Sequence, residues 1–194
     1  MRIAYFATAV ALLALAGCAT PGYKDVTADK SVEVGNGVLV NPQIEWGQAS
    51  VPGFRGALWT VDGAGLDALM FFPGVPPGSA LITPAHSEKV DEHTYAMTML
   101  PDDVMELTAA NLENLGYQQV HATALRPAPF GNSKGFRFDL SFTNADGLQM
   151  KGMALACQRN GRLDLIVFTA PQEYYFAHYA PTVEQIFGSL QVAG

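Results

Sequence analysis

The side chains most able to do chemistry lie in one short polar segment. Its imidazoles and carboxylates belong to His86, Glu88, Asp91 and His93. Groups of these two kinds, this close in sequence, can ligate a divalent metal such as zinc. However, the two histidines are not spaced as an i, i+4 pair on a helix, and no second ligand pair is evident. We therefore interpret the segment as a solvated loop, and a small hydrolase or metal-dependent enzyme using it remains the alternative.

No other part of the sequence has the pattern of a catalytic site. His121 is predicted to lie in a strand and His178 in a helix, and neither belongs to a recognisable triad. The Gly-x-Ser-x-Gly pattern of serine hydrolases, a phosphate-binding loop and a dinucleotide fingerprint are all absent from the sequence. Ser133 and Lys134 are adjacent, but their glycine-flanked setting is typical of a loop between strands. A non-catalytic protein without a cofactor is favoured.

The chain contains two cysteines, and their contexts differ. Cys157 follows Met153 and Leu155 at alternate positions, which predicts that its side chain points with theirs to the inside of a sheet. A buried, inert thiol is the preferred interpretation. A reactive nucleophile would need a nearby base and some exposure.

The first eighteen residues are typical of an export signal. Arg2 precedes an apolar run that ends in Leu15-Ala16-Gly17-Cys18 and is too short to span a bilayer comfortably. This ending resembles the lipobox of bacterial lipoprotein precursors. The resemblance implies a diacylglyceryl thioether on Cys18, cleavage before it, and acylation of the new N-terminus, with palmitate as the expected fatty acid. An ordinary secretory signal with a chance cysteine is the alternative.

The residue after the cysteine bears on location. Ala19 stands where an aspartate would retain enterobacterial lipoproteins in the inner membrane, so the resemblance implies an outer-membrane anchor facing the periplasm. We therefore expect a signal peptide over 1–17, a lipidated tether over 18–30 and one domain over 31–194.

Composition and charge narrow the class of partner. Removal of residues 1–17 leaves 177 residues, about one domain, with a chain that is 49% hydrophobic and 15% charged. The full chain carries a net charge of −7, and loss of Arg2 makes it −8. An acidic surface repels nucleic acid and anionic lipid, so nucleic-acid binding is excluded and membrane association must come from the lipid on Cys18.

The elements follow from periodicity and turn residues. Asn36-Gly37 between apolar runs predicts a hairpin. Pro101 and Gly116 bracket a predicted helix, and Pro181 should break or kink a second one. Residues 73–79 are too rich in proline and glycine for regular structure. The predicted elements are strands at 32–40 (a hairpin), 57–61, 66–72, 94–99, 118–125, 135–142, 148–158 and 162–169, and helices at 101–116 and 172–190.

This order indicates an α+β fold with helices packed on an antiparallel sheet. Phe138 and Ile186 should then meet in one core, whereas Glu184 lies off the buried stripe of the second helix. The aromatic cluster at 174–179 is more typical of core packing than of a ligand site. The apolar segment at 71–78 is a recognition surface if exposed, and structural if it covers the sheet edge.

The second half of the chain is similar to PsbP/Mog1-like domains. The matching pieces are Leu115-Gly116-Tyr117, Pro129-Phe130-Gly131, Gly135-Phe136-Arg137-Phe138, the turns Asp146-Gly147 and Asn160-Gly161, and Ile186-Phe187-Gly188-Ser189-Leu190. The resemblance implies an α/β/α sandwich and, because members are mostly non-enzymatic accessory proteins, a domain that binds an envelope partner protein or a small ligand. It maps no functional residue onto this chain.

Overall fold

The computed structural model describes residues 23–51, 54, 56–82 and 93–193. The predicted signal peptide, Cys18 and most of the polar segment at 86–93 lie outside these ranges. The elements of the described residues are β1 (Lys24–Val26), β2 (Val32–Gly35), β3 (Val38–Val40), β4 (Trp46–Ala49), β5 (Ala57–Thr60), β6 (Ala68–Val75), α1 (Pro101–Glu113), β7 (Gln118–Phe130), β8 (Ser133–Thr143), β9 (Gln149–Arg159), β10 (Arg162–Pro171), α2 (Tyr175–Gly188) and β11 (Gln191–Val192).

The strands form one large antiparallel sheet and one small one. The large sheet has the order β1-β4-β5-β6-β10-β9-β8-β7, and the small sheet has the order β11-β3-β2. The strands from β7 to β10 are sequential neighbours, as the meander predicted for 135–169 requires. Positive φ angles at Asn36, Gly37, Asn160 and Gly161 let two-residue turns close the β2–β3 and β9–β10 hairpins.

The two helices cover opposite faces of the large sheet. Helix α1 packs on β7 and β8, and α2 packs on β9 and β10. Because side chains alternate between faces along a strand, two separate cores result. One core contains α1 and Phe138, and the other contains α2, Ile186 and Cys157. The α/β/α arrangement is confirmed, but the expected contact between Phe138 and Ile186 is wrong, since the sheet lies between them.

The structure corrects three further expectations about where the strands begin and end. Residues 24–26 of the predicted tether form β1 and pair with β4, so the sheet begins before the expected domain start at residue 31. Strand β6 continues through Pro73 to Val75, with Gly74 at a positive φ where its pairing with β10 shifts register. Residues 94–99 form no strand and instead pass beside Gly78 and Ser79 into α1.

Helix α2 runs without a break through Pro181, which lies on its exposed side. Proline has no N–H, so the helix loses one hydrogen bond, and Ala177, whose carbonyl would have accepted it, is exposed to solvent. Among the described residues, neither helix is long and apolar enough to cross a bilayer.

Candidate functional site

The polar segment at 86–93, interpreted as a solvated loop with a metal site as the alternative, is described only at its last residue. His93 is exposed, and its backbone carbonyl accepts a hydrogen bond of 3.2 Å from Asn111 Nδ2. It borders a shallow hollow of about 570 Å³ with Asp103 and Glu106, although Asp103 already caps α1 by accepting from the Leu100 N–H at 2.7 Å. Within the described ranges, no three metal-ligating side chains come together. His86, Glu88 and Asp91 lie outside them.

The remaining histidines, His121 and His178, lie on different elements from each other and from the Ser133–Lys134 pair. His121 is exposed on β7, and His178 is exposed on α2. Ser133 and Lys134 open β8 after a two-residue turn at Gly131 and Asn132. The structure therefore brings none of these side chains into a triad, and the adjacent serine and lysine are accounted for by the β7–β8 hairpin.

Cys157 lies fully buried on β9, in the core beneath α2. Met153 and Leu155 share that core, which confirms the inward orientation predicted from their alternation. Burial, with a smaller contribution from the nearby Asp164 carboxylate, raises the pKa of the thiol. Both effects keep the sulfur protonated, and burial also keeps it inaccessible to solvent.

Cys157 should therefore react slowly with a polar disulfide reagent in the folded chain and rapidly in urea, since attack requires an exposed thiolate. Release of the coloured thiol from the reagent measures both rates on a Cys18→Ser chain, which leaves one cysteine. Equal rates in the two states would contradict burial. Full retention of stability with loss of function in Cys157→Ser would support the nucleophile alternative.

A buried ion pair of the large sheet, between Arg159 and Asp164, is hydrogen-bonded to the turn of the small sheet. Asp164 on β10 is 1% exposed and accepts hydrogen bonds from Arg159 Nε at 2.7 Å, Asn36 Nδ2 at 2.9 Å and the Gly74 N–H at 2.7 Å. Arg159 also donates to the Asn36 carbonyl. The donors to the Asp164 carboxylate come from both sheets. This network therefore holds the β2–β3 hairpin against the large sheet.

A cluster of aromatic side chains reaches the surface at the start of α2. Tyr174, which is 62% exposed, stacks on His178 with ring centres 5.5 Å apart and planes within 11°. The His178 ring meets the buried Tyr179 edge to face at 4.6 Å. Tyr175 meets Tyr174 at 5.1 Å. We call these four side chains the aromatic corner. The expectation of core packing is correct for Tyr179 but not for Tyr174 and His178.

A carboxylate is fixed beside this corner. The Tyr179 hydroxyl donates to Asp62 Oδ2 at 2.6 Å, which ties α2 to the β5–β6 turn. Burial, followed by the hydrogen bond to Asp62, raises the pKa of Tyr179, so the hydroxyl keeps its proton. The exposed Asp62 carboxylate is thus oriented by a rigid, buried donor.

The turn that carries Asp62 is itself held by a buried carboxylate. Asp67 accepts from the Thr60 hydroxyl at 2.9 Å and from the backbone N–H groups of Val61 and Asp62 at 2.7 and 2.8 Å. Burial raises the pKa of Asp67, and these hydrogen bonds oppose the rise. Asp67 is therefore a structural clamp, and Asp62 is the carboxylate left facing solvent.

A cleft of about 390 Å³ opens next to Asp62. Its lining comprises Tyr23, Gly47, Thr60, Val61, Asp62 and Gly63. The Tyr23 ring lies on the backbone of Gly47, where an added Cβ would come within 3.1 Å of the ring. The cleft therefore has an aromatic wall at one side and the oriented carboxylate at another.

The sequence alone did not indicate this site. Asp62 and Gly63 fall between the strands predicted at 57–61 and 66–72, and Tyr23 falls in the predicted tether, so neither position is marked as functional. Tyr179 and Asp62 are separated by 117 positions in the chain. No local spacing signals such a pair, because the contact depends on how α2 crosses the end of the sheet.

The segment at 71–78 is mainly structural. Phe71 and Phe72 are buried on opposite faces of β6, which is an inner strand between β5 and β10. Beyond them, Pro73 to Pro76 border a small hollow of about 160 Å³. That volume is below the usual range for ligand pockets.

Comparison with known proteins identifies the fold. No family model matches the chain, and no curated protein matches it. The solution structure of cyanobacterial PsbP (CyanoP) from Synechocystis sp. PCC 6803 is similar, with a TM-score of 0.51 and 11% identity over 94% of this chain and 99% of that one. LpqN of Mycobacterium tuberculosis, described as involved in cell envelope biogenesis, gives a TM-score of 0.39 at 9% identity over 89% and 91% of the two chains, too low to indicate a shared fold. The likeness to CyanoP confirms a PsbP-like α+β fold for this chain and shows the fold alone.

Proposed function

We propose that this chain is a lipid-anchored protein of the cell envelope, held in the outer membrane by Cys18, whose PsbP-like domain binds a basic partner protein at the aromatic corner. The lipobox-like ending of the first eighteen residues supports the anchor. The exposed, stacked pair of Tyr174 and His178 supports the binding role and is the observation that carries it.

Tyrosine at such a position suits partner binding. Exposed large aromatic side chains are enriched at the centres of protein interfaces, where a rigid ring buries much area at low entropy cost. Tyr174 is held by contacts with Tyr175 and His178, so little freedom remains to be lost on binding. Asp62 and the net charge of −8 expected after processing favour a partner with a basic surface.

The binding role is tested by crosslinking in living cells. A photoreactive phenylalanine analogue replaces Tyr174 in one strain and the exposed His121 of β7 in another. We expect one discrete crosslinked protein from position 174 and none from position 121. Adding Asp62→Lys should remove the product, because charge reversal repels a basic surface. Equal crosslinking at both positions, or persistence in the Asp62→Lys strain, would contradict the proposal.

The anchor has a separate test. Cys18→Ser should abolish incorporation of a labelled fatty acid and release the protein from the membrane fraction, because the acyl chains supply the membrane affinity. Measurement is by metabolic labelling and fractionation. Labelling of the mutant at the wild-type level would rule out Cys18 as the lipid site. Wild-type protein in the inner-membrane fraction would contradict outer-membrane sorting.

A further inference from the structure

We infer that the cleft between Tyr23 and Asp62 binds an alkylammonium or guanidinium group, which a lysine or arginine of the partner would supply. This inference rests on the proposed binding function and names the chemistry of its ligand. It is carried by the ring and the carboxylate that line one cleft of about 390 Å³.

The aromatic wall is held in place before any ligand arrives. Tyr23 is 48% exposed, and its Cβ and the adjoining ring atoms Cγ and Cδ1 lie next to Gly47. A larger side chain at position 47 would push the ring off the strand, since an added Cβ would approach ring atoms to 3.1–3.3 Å. A fixed aromatic face attracts cations through the negative potential above its ring.

The Asp62 carboxylate can accept further hydrogen bonds. Asp62 Oδ2 accepts from Tyr179, and no hydrogen bond from the described residues reaches Oδ1. Asp67, the other carboxylate nearby, already accepts from Thr60, Val61 and Asp62. Asp62 is therefore the group that can receive a charged N–H donor, and Asp67 adds negative potential behind it.

The chemistry selects for charge and for a small, extended group. Gly47 and Gly63 carry no side chains into the cleft, so the end of a long side chain can enter. Neutral groups gain only the ring contact, whereas ammonium and guanidinium gain both the ring and a charge-assisted hydrogen bond. Anions are repelled by Asp62.

The test uses the full mature chain in micelles of a neutral detergent. The probes are Nα-acetyl-lysine amide and Nα-acetyl-arginine amide, with Nα-acetyl-norleucine amide as the uncharged match. Binding is followed by NMR shifts of Gly47 and Gly63. We expect both cations to bind at these residues and the norleucine probe to bind at least about tenfold more weakly, the usual effect of losing a charged hydrogen bond.

Matched variants separate the two parts of the cleft. Asp62→Asn should weaken cation binding about tenfold, and Tyr23→Leu about threefold. Asp146→Asn, which removes an exposed carboxylate from the β8–β9 turn, should leave binding unchanged. Each variant must unfold with the wild-type midpoint. A Tyr23→Leu chain that loses stability is replaced by Tyr23→Phe, which keeps the ring and should bind as the wild type does.

The outcomes distinguish the inference from the proposed function. Equal binding of the norleucine and lysine probes, or unchanged affinity in Asp62→Asn, overturns the cation site even if crosslinking at position 174 succeeds. Charge-selective binding without any crosslinked partner supports the cation site and overturns the partner protein as its source. A free polyamine such as spermidine is then the next probe, and tighter binding of it than of the lysine probe would identify a soluble cation as the ligand.

Discussion

Asp164→Ala is expected to lower the free energy of unfolding by about 3–5 kcal/mol, the usual cost of breaking a buried ion pair from one side. Asp164 is nearly fully buried and accepts hydrogen bonds from Arg159, Asn36 and the Gly74 N–H. Its removal leaves the Arg159 charge without a counterion and the Gly74 N–H without an acceptor. Urea unfolding of the unlipidated chain from residue 19 onward measures the loss.

The chain contains a matched control for this change. Asp139 pairs with Arg126 at 3.0 Å, but these side chains are 47% and 40% exposed. Asp139→Ala should therefore cost only about 0–1 kcal/mol. A double variant, Asp164→Ala with Arg159→Met, should recover part of the loss because the uncompensated charge is gone. Equal midpoints for Asp164→Ala and Asp139→Ala would show that the network adds no more than a surface pair.

Ile186→Ala should cost about 2–5 kcal/mol, the usual range for a large-to-small change in a core. Ile186 is fully buried where α2 packs on the sheet, in the same core as Leu155 and Phe168. The loss would consume much of the roughly 5–15 kcal/mol that stabilises a typical domain. The same urea titration measures it.

The control substitution for Ile186→Ala must be at an exposed position of α2 that makes no ion pair. Glu184 lies off the buried stripe, as expected, but its carboxylate accepts two hydrogen bonds from Arg137, whose side chain is only 20% exposed. The exposed Gln185 is the better control, and Gln185→Ala should change stability by less than about 0.5 kcal/mol. A similar midpoint for Ile186→Ala and Gln185→Ala would mean that α2 contributes little to the fold.

Most elements of the second half of the chain could be predicted from sequence because their signals are local. The alternation of Phe136, Phe138, Leu140 and Phe142 identified β8, and Asn160-Gly161 identified the β9–β10 turn. Pro101 and Gly116 bracketed α1. Each signal lies within a few residues, so the alternation of buried positions and the turn conformation can be predicted from the local sequence.

Elements that depend on a distant partner could not be predicted in this way. β1 is three residues long and exists because β4 pairs with it. β6 tolerates Pro73 and Gly74 because the register with β10 shifts there and Asp164 receives the Gly74 N–H. Short strands and irregular positions carry too little local preference to outweigh what their neighbours impose.

The face to which each core residue belongs, and the site itself, depend on tertiary structure. Periodicity showed that Phe138 and Ile186 are both buried, but not that α1 and α2 lie on opposite sides of one sheet. By contrast, composition determined the acidic net charge, and local pattern predicted the α+β class that the structure shows. The pairing of Tyr179 with Asp62, and the placing of Tyr23 on Gly47, arise only when α2, β1 and the β5–β6 turn meet at the sheet. Contacts between residues far apart in the chain are set by packing, which no single stretch of sequence encodes.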